Sequence, residues 1–315
     1  MSHRYTFTVF TPTYNNVDKI KRVYESLLNQ SFRDFEWLII DDGSSDGTDK
    51  LIERWRKSSE AFFPIRYVWQ ENNHKKVAHN NAVKLADGEL FLTLDADDEC
   101  VPHALQAFYD SWQSIPVEKR HEFSGAAALC RLENGDIVGD RFPGDSIDST
   151  PQEIRYRFRI KGEKWGFQRT DVLKNFLFPE EIPGYVPESF VWDAIGVEYK
   201  TRFFNQPLRI YFQESQERKT HAIVKLKRLR EPGRLARKRW TLNNELNWFF
   251  TDPLFFVKEA ILASRFALHV PKEKREFVKL KGLLPTLLVA ALFPVGFFMY
   301  LDDIFSARRE KPTGA

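Results

Sequence analysis

Apolar positions in the first hundred residues alternate between two periods. "YTFTVFT" (Tyr5 to Thr11), "FEWLIID", "PIRYVWQ" and "ELFLTLD" are short runs rich in β-branched and aromatic side chains, and each predicts a strand. Between them, "VDKIKRVYESLLNQ" sets Val17, Ile20, Val23, Tyr24, Leu27 and Leu28 at helical spacing. "DKLIERWRKS" predicts a second helix, and "KVAHNNAVKLADG" a third, stopped at Gly88. The strands are too apolar to face water on either side. Strand and helix therefore alternate in the manner of an open, mostly parallel α/β sheet flanked by helices. The stretch from about 120 to 215 is less regular and is assigned to substrate-binding elements of the same domain.

The pattern changes from about residue 216. "ERKTHAIVKLKRLREPGRLARKRW" carries ten Lys or Arg against two Glu, and "NWFFTDPLFFVKEAILASRFALHV" follows it. Gly282 to Leu301 then pass without a charge. The expected organisation is a domain at 1–215 and a basic and apolar helical module at 216–315. Twenty residues at 1.5 Å each cover about 30 Å, one hydrocarbon core. Pro285 and Pro294 also suit a bent or re-entrant element, and "PKEKREFVKLK" before and "ARREK" after are both basic, which favours a segment that dips into one leaflet and returns. The basic run then reads as a contact to anionic lipid headgroups.

Composition narrows the classes. The net charge of the 315 residues is only +3 and no nucleic-acid fold accompanies the basic run, so no nucleic-acid partner is expected. Two cysteines give neither a disulfide framework nor a zinc spacing, and "MSHRYTFTVF" holds no apolar core of a signal peptide. These features fit a reducing compartment.

Three polar clusters follow predicted strands: "TPTYNN", "DDGSSDGT" and "DADDE". Ligands of open α/β sheets bind beyond such carboxyl ends. Asp95, Asp97 and Asp98 crowd together, and like charges so close either fray into solvent or hold a cation. Asp41, Ser44 and Asp46 suit capping of the helix near Thr48, and Asp98 suits a helix N-terminal acid before "CVPHALQAF".

"TPTYN", "DDGSSDGT", the "AHNNAVKLADGELFLTLDADD" run and "VPESFVWDAI", in this order, resemble family 2 glycosyltransferases of the GT-A fold over about residues 5–215. The resemblance implies an inverting transfer from a nucleotide-diphospho-sugar donor, assisted by Mn²⁺ or Mg²⁺. It assigns the metal to Asp97, with Asp95 acting through water or on the donor ribose, and such hard cations suit carboxylate oxygens. It further implies that Asp42 reads the nucleobase, with Tyr14 near the base plane and Pro12 and Thr13 lending backbone contacts. Lys75 would reach a donor phosphate or stay solvated, while His79 and Asn80 would line the cleft. His74 stands where related sequences place glycine. The general base maps to Glu188; the acid usual at the next position is Ser189 here, so Asp193, otherwise a solvated helix residue, is second choice. Trp165 suits sugar stacking and core packing equally.

With the apolar module, these residues lead to one expectation. It is an enzyme at the cytoplasmic face of the cell membrane, peripheral or single-pass, transferring sugar to a lipid-linked saccharide in surface-polysaccharide assembly. The rivals are transfer directly onto polyprenyl phosphate and a non-catalytic nucleotide-sugar-binding scaffold.

Overall fold

The computed structural model describes residues 3–212, 229 and 231–309; much of the basic run from 216 lies outside the described residues. The chain divides into two units. One comprises Met1–Phe178 with Val191–Glu214, the other Pro179–Phe190 with Ser215–Ala315. The division thus falls beside the expected boundary at 215, but Pro179–Phe190 groups with the second unit.

In the first unit β1 (Tyr5–Thr13), α1 (Ile20–Leu28), β2 (Phe35–Asp41), α2 (Thr48–Lys57), β3 (Ile65–Trp69), α3 (His74–Leu85) and β4 (Gly88–Thr93) alternate. β5 (Glu99–Cys100), α4 (Ala104–Gln113) and β6 (Phe123–Leu132) follow, then β7 (Ser146–Ser149), α5 (Pro151–Tyr156), β8 (Lys164–Arg169) and α6 (Thr170–Leu173). α7 (Ser189–Glu198) and β9 (Lys200–Tyr211) close the sheet, whose order is β3-β2-β1-β4-β8-β6-β9-β5 with β7 on β9. β3, β2, β1 and β4 are mutually parallel. β8 runs antiparallel to β4 and β6, and β5 and β7 run antiparallel to β9. The sheet is mixed, because the less regular stretch after 120 contributes four long-range strands to it. Gly88 begins β4 and does not stop α3, whose last residue is Leu85. A Cβ on Gly88 would sit 2.2 Å from the Thr8 amide nitrogen, so only glycine lets β4 lie this close to β1.

Every residue of β2 is buried. Trp37 stacks towards Tyr24 of α1 and Trp55 of α2, and its indole N–H donates to Thr11 Oγ1 at 2.9 Å. Fully burying side chains of this size is worth about 1.5–3 kcal/mol each. Because β1, β2 and β4 run parallel, the polar clusters that follow them emerge at the same edge of the sheet.

The second unit contains α8 (Pro232–Asn244), α9 (Pro253–His269) and α10 (Leu283–Arg309). Leu229, Leu235, Phe266 and Val270 form a small core. α10 is one continuous 27-residue helix with Pro294 inside it, where a bent or re-entrant element was expected.

Candidate functional site

The loops after β1 and β2 are stitched together. The Asn15 N–H donates to Ser44 Oγ at 2.8 Å, the Ser45 N–H to Asn15 Oδ1 at 2.9 Å and the Val17 N–H to Asp46 Oδ2 at 2.9 Å. Ser44 and Asp46 are thus loop braces, Asp46 also accepting from Thr48 just inside α2. Asp41 is fully buried, accepting from the Ser44 N–H at 2.8 Å and the Tyr67 hydroxyl at 2.7 Å. Tyr14, half exposed, projects from the same loop pair, while Thr13 is buried and Pro12 partly so.

Asp42 follows directly on β2 and is 6% exposed. Its Oδ1 accepts from Gln70 Nε2 at 2.7 Å and from the Asn73 N–H at 2.9 Å. Among the described residues nothing donates to Oδ2, so one oxygen alone fixes the carboxylate. Gln70 ends the predicted strand "PIRYVWQ" and Asn73 follows it, and the sequence gives no further signal of their role.

Beyond β4 the three acids separate in role. Asp97 is exposed and makes no hydrogen bond or ion pair among the described residues. Lys75 Nζ lies 2.6 Å from Asp95 Oδ1. Burial opposes ionisation of Asp95, but the Lys75 ammonium, with Arg209 beyond it, holds its carboxyl below the usual range. Asp98 is buried against Arg209 of β9, Oδ2 to Nε 3.2 Å, and is not a helix N-terminal acid: α4 begins only at Ala104. Burial pushes Asp98 up to about 7; Arg209 opposes the rise, while Asp95 and Asp97 add to it. Arg209 is 111 positions from Asp98, and nothing local in the sequence marks it.

Lys75 belongs to the first turn of α3 and not to a loop. His74, the first helix residue, has φ of 70°, left-handed backbone that glycine adopts at no steric cost. His79 and Asn80 do not line an open cleft, being 3% and 1% exposed. Asn80 exchanges two hydrogen bonds of 2.9 Å with the Phe178 backbone. His79 sits among Phe10, Phe91, Phe178 and Trp192, and neither ring nitrogen has a hydrogen-bond partner among the described residues. Trp165 is core, donating to the Thr93 carbonyl at 2.6 Å.

Glu188 is half-buried immediately before α7, in the segment that groups with the second unit. Asp193 is not solvated. It is 1% exposed and binds Arg155 through both oxygens, at 2.7 and 3.0 Å.

The donor set suits a hard divalent cation that takes its remaining ligands from a substrate: Asp97 is open to solvent and Asp95 lies two positions away. Asp42 and Asp95 follow strands two spacings apart, about 10 Å across the sheet.

The first unit is thus an open α/β domain that combines a parallel β3-β2-β1-β4 sheet with acidic strand ends. Residues 8–118, about a third of the chain, match the family model for glycosyl transferase family 2, and the first unit has the GT-A fold. The chain is 26% identical over 211 residues to the GalNAc(5)-diNAcBac-PP-undecaprenol beta-1,3-glucosyltransferase of Campylobacter jejuni, covering 65% of this chain and 63% of that protein. It is 30% identical over 156 residues to the putative teichuronic acid biosynthesis glycosyltransferase TuaG of Bacillus subtilis, covering 49% and 56%. The matches thus span about three fifths of these relatives' lengths. S. aureus TarS, residues 1–349, shares the fold with a TM-score of 0.56 at 22% identity over 98% of this chain and 93% of that one.

Proposed function

We propose that the protein is an inverting, metal-assisted glycosyltransferase that moves a sugar from a nucleotide-diphospho-sugar to a hydroxyl of a lipid-linked saccharide in surface-polysaccharide assembly. The observation that carries the reading is the pairing of a braced Asp42 with the Asp95 and Asp97 carboxylates at strand ends of a family 2 domain. Asp42 Oδ2 would accept from the nucleobase imide beside Tyr14, with Pro12 and Thr13 giving backbone contacts. Asp97, with Asp95 directly or through water, would hold Mn²⁺ or Mg²⁺, which supplies Lewis acidity to the departing diphosphate. Lys75 would exchange Asp95 for a donor phosphate, because its Nζ already lies at the acidic strand end.

Inversion needs a base on the acceptor side. Glu188 would take the hydroxyl proton as the acceptor oxygen attacks the anomeric carbon opposite the diphosphate. The relative acting on a polyprenyl-diphosphate saccharide and the apolar α10 support a lipid-linked acceptor, met at the cytoplasmic face of the cell membrane. A screen of nucleotide sugars for Mn²⁺-dependent hydrolysis tests the reading. One donor should be cleaved, and transfer should follow on adding a polyprenyl-diphosphate saccharide. A chain that binds no nucleotide sugar with or without metal would refute it.

A further inference from the structure

We infer that α10 lies in the plane of the membrane, in one leaflet, and does not cross it. The inference rests on the proposal that the protein works at a membrane, and concerns how it is held there.

Leu283–Ser306 is long and apolar enough to cross a bilayer, with a mean hydropathy of 2.0. Its contacts rule against that orientation. Only one stripe of α10 is covered, through positions such as Pro285, Gly296 and Asp303. At Gly296 a Cβ would lie 2.7 Å from Ser264 Cβ, so the helix crosses α9 at backbone distance. Near its C-terminal end, Asp303 takes Arg265 Nε at 2.6 Å and His269 Nε2 at 3.1 Å. The C-terminal end of α9 therefore sits beside the C-terminal end of α10.

The connection between the two helices must then run back along nearly the whole of α10, about 30–40 Å at 1.5 Å per residue, to reach Leu283. Residues 271–281 make this return. They carry five Lys or Arg and two Glu, and their only helix is the short turn at Lys272–Lys274. They are tied to α8: Arg239 donates to the Arg275 carbonyl at 2.6 Å, and Asn243 bonds the Lys279 carbonyl and the Lys281 N–H at 2.8 Å each. Irregular, charged backbone is not stable in hydrocarbon. Were α10 upright in a bilayer, this segment would have to traverse the same core. With α10 flat, the segment stays at headgroup level along its flank.

The remaining surface fits a lipid occupant. Leu283, Leu287, Phe298 and Phe305 are 75%, 55%, 69% and 55% exposed, and the net positive flank matches anionic headgroups.

The test uses the full chain expressed in a bacterial host, with Lys281→Cys and Ser306→Cys made singly; the native Cys100 and Cys130 are buried. Sealed membrane vesicles of known sidedness are treated with a membrane-impermeant maleimide. Both positions should label from the same side. Labelling from opposite sides would overturn the in-plane placement while leaving membrane attachment intact. In parallel, purified protein is floated with phosphatidylcholine vesicles containing phosphatidylglycerol. The native chain should float, and Leu287→Asp with Phe298→Asp should weaken binding about tenfold or more, the worth of one or two buried apolar side chains. A native chain that stays in the soluble fraction at low salt would overturn the membrane reading as a whole. Donor hydrolysis, measured on the same samples, reports separately on the transferase reading.

Discussion

At the residue scale, three acids singled out in the sequence, Asp97, Glu188 and Asp193, have different surroundings in space, and the expected effects of substitution differ accordingly. Asp97→Asn removes an exposed charge that makes no hydrogen bond or ion pair among the described residues. It should abolish metal-dependent donor binding and turnover, seen by titrating Mn²⁺, with an unchanged melting curve. Glu188→Gln should lower the transfer rate by about 10²–10⁴-fold with donor affinity nearly unchanged. Asp193→Asn should act through stability, because it breaks the bidentate contact to Arg155. A loss of about 1.5–3 kcal/mol in urea unfolding is expected for a charge-assisted bond. Rate loss at constant stability from Asp193→Asn would move the base to that residue. Two buried groups act on the pH dependence with opposite signs. Asp98, pushed up to about 7, adds stability as pH falls below that value. Burial, then Lys75, pushes the pKa of His79 down to about 3 from an ordinary 6.5. At this site the unfolded chain binds more protons between these values, so the His79 contribution is fully present above about 6.5 and is lost as pH drops towards 3. His79→Phe should remove that loss, read as a higher urea midpoint at acid pH than the native chain shows, since a fifth apolar ring suits the box as well as a neutral imidazole.

At the scale of elements, the polar end of the sheet is held by side-chain bonds between loops, whereas its other end is held by one buried acid. Glu36 of β2 is fully buried and accepts from Thr8 of β1 at 2.6 Å, the Asp87 N–H at 2.8 Å and Arg66 of β3 at 2.8 Å. One carboxylate thereby joins three adjacent parallel strands. Arg66→Leu would leave that charge without its cation, and breaking such a pair costs about 3–5 kcal/mol. Arg66 is itself a third exposed, so solvent screening places the expected loss at or below the lower end of that range. Chemical denaturation should show the loss, with donor hydrolysis retained at low temperature. An unchanged denaturation midpoint would mean that water replaces the guanidinium at no cost.

At the scale of the whole molecule, a catalytic unit is paired with a helical unit that offers a wide apolar face beside basic segments. Two forces of different range should then hold it to lipid. Raising salt from 0.1 to 1 M shortens the screening length from about 10 to about 3 Å and removes most of the headgroup attraction. Flotation with anionic vesicles should weaken across this range yet persist, because apolar burial does not depend on screening. Complete release at 1 M salt would show that charge alone holds the protein.

The sequence by itself determined the strand and helix alternation of residues 5–95, the strand-end clusters, the family resemblance they carry and the apolar helix near the C-terminus. Each of these is a local property: a period, a turn signal or an uncharged run registers within about ten to twenty residues. Tertiary structure alone decided that Asp98 answers to Arg209, that Asp193 is spent on Arg155 and that Pro179–Phe190 groups with the second unit. It also decided that Asp303 sits beside Arg265 and His269, the contact that fixes how α10 lies on α9. These partners are 34 to 111 positions apart and come together only because burying β9, α7 and α9 leaves their polar side chains no water to bond. A single sequence records which residues need a partner. Packing alone chooses which partner each one meets.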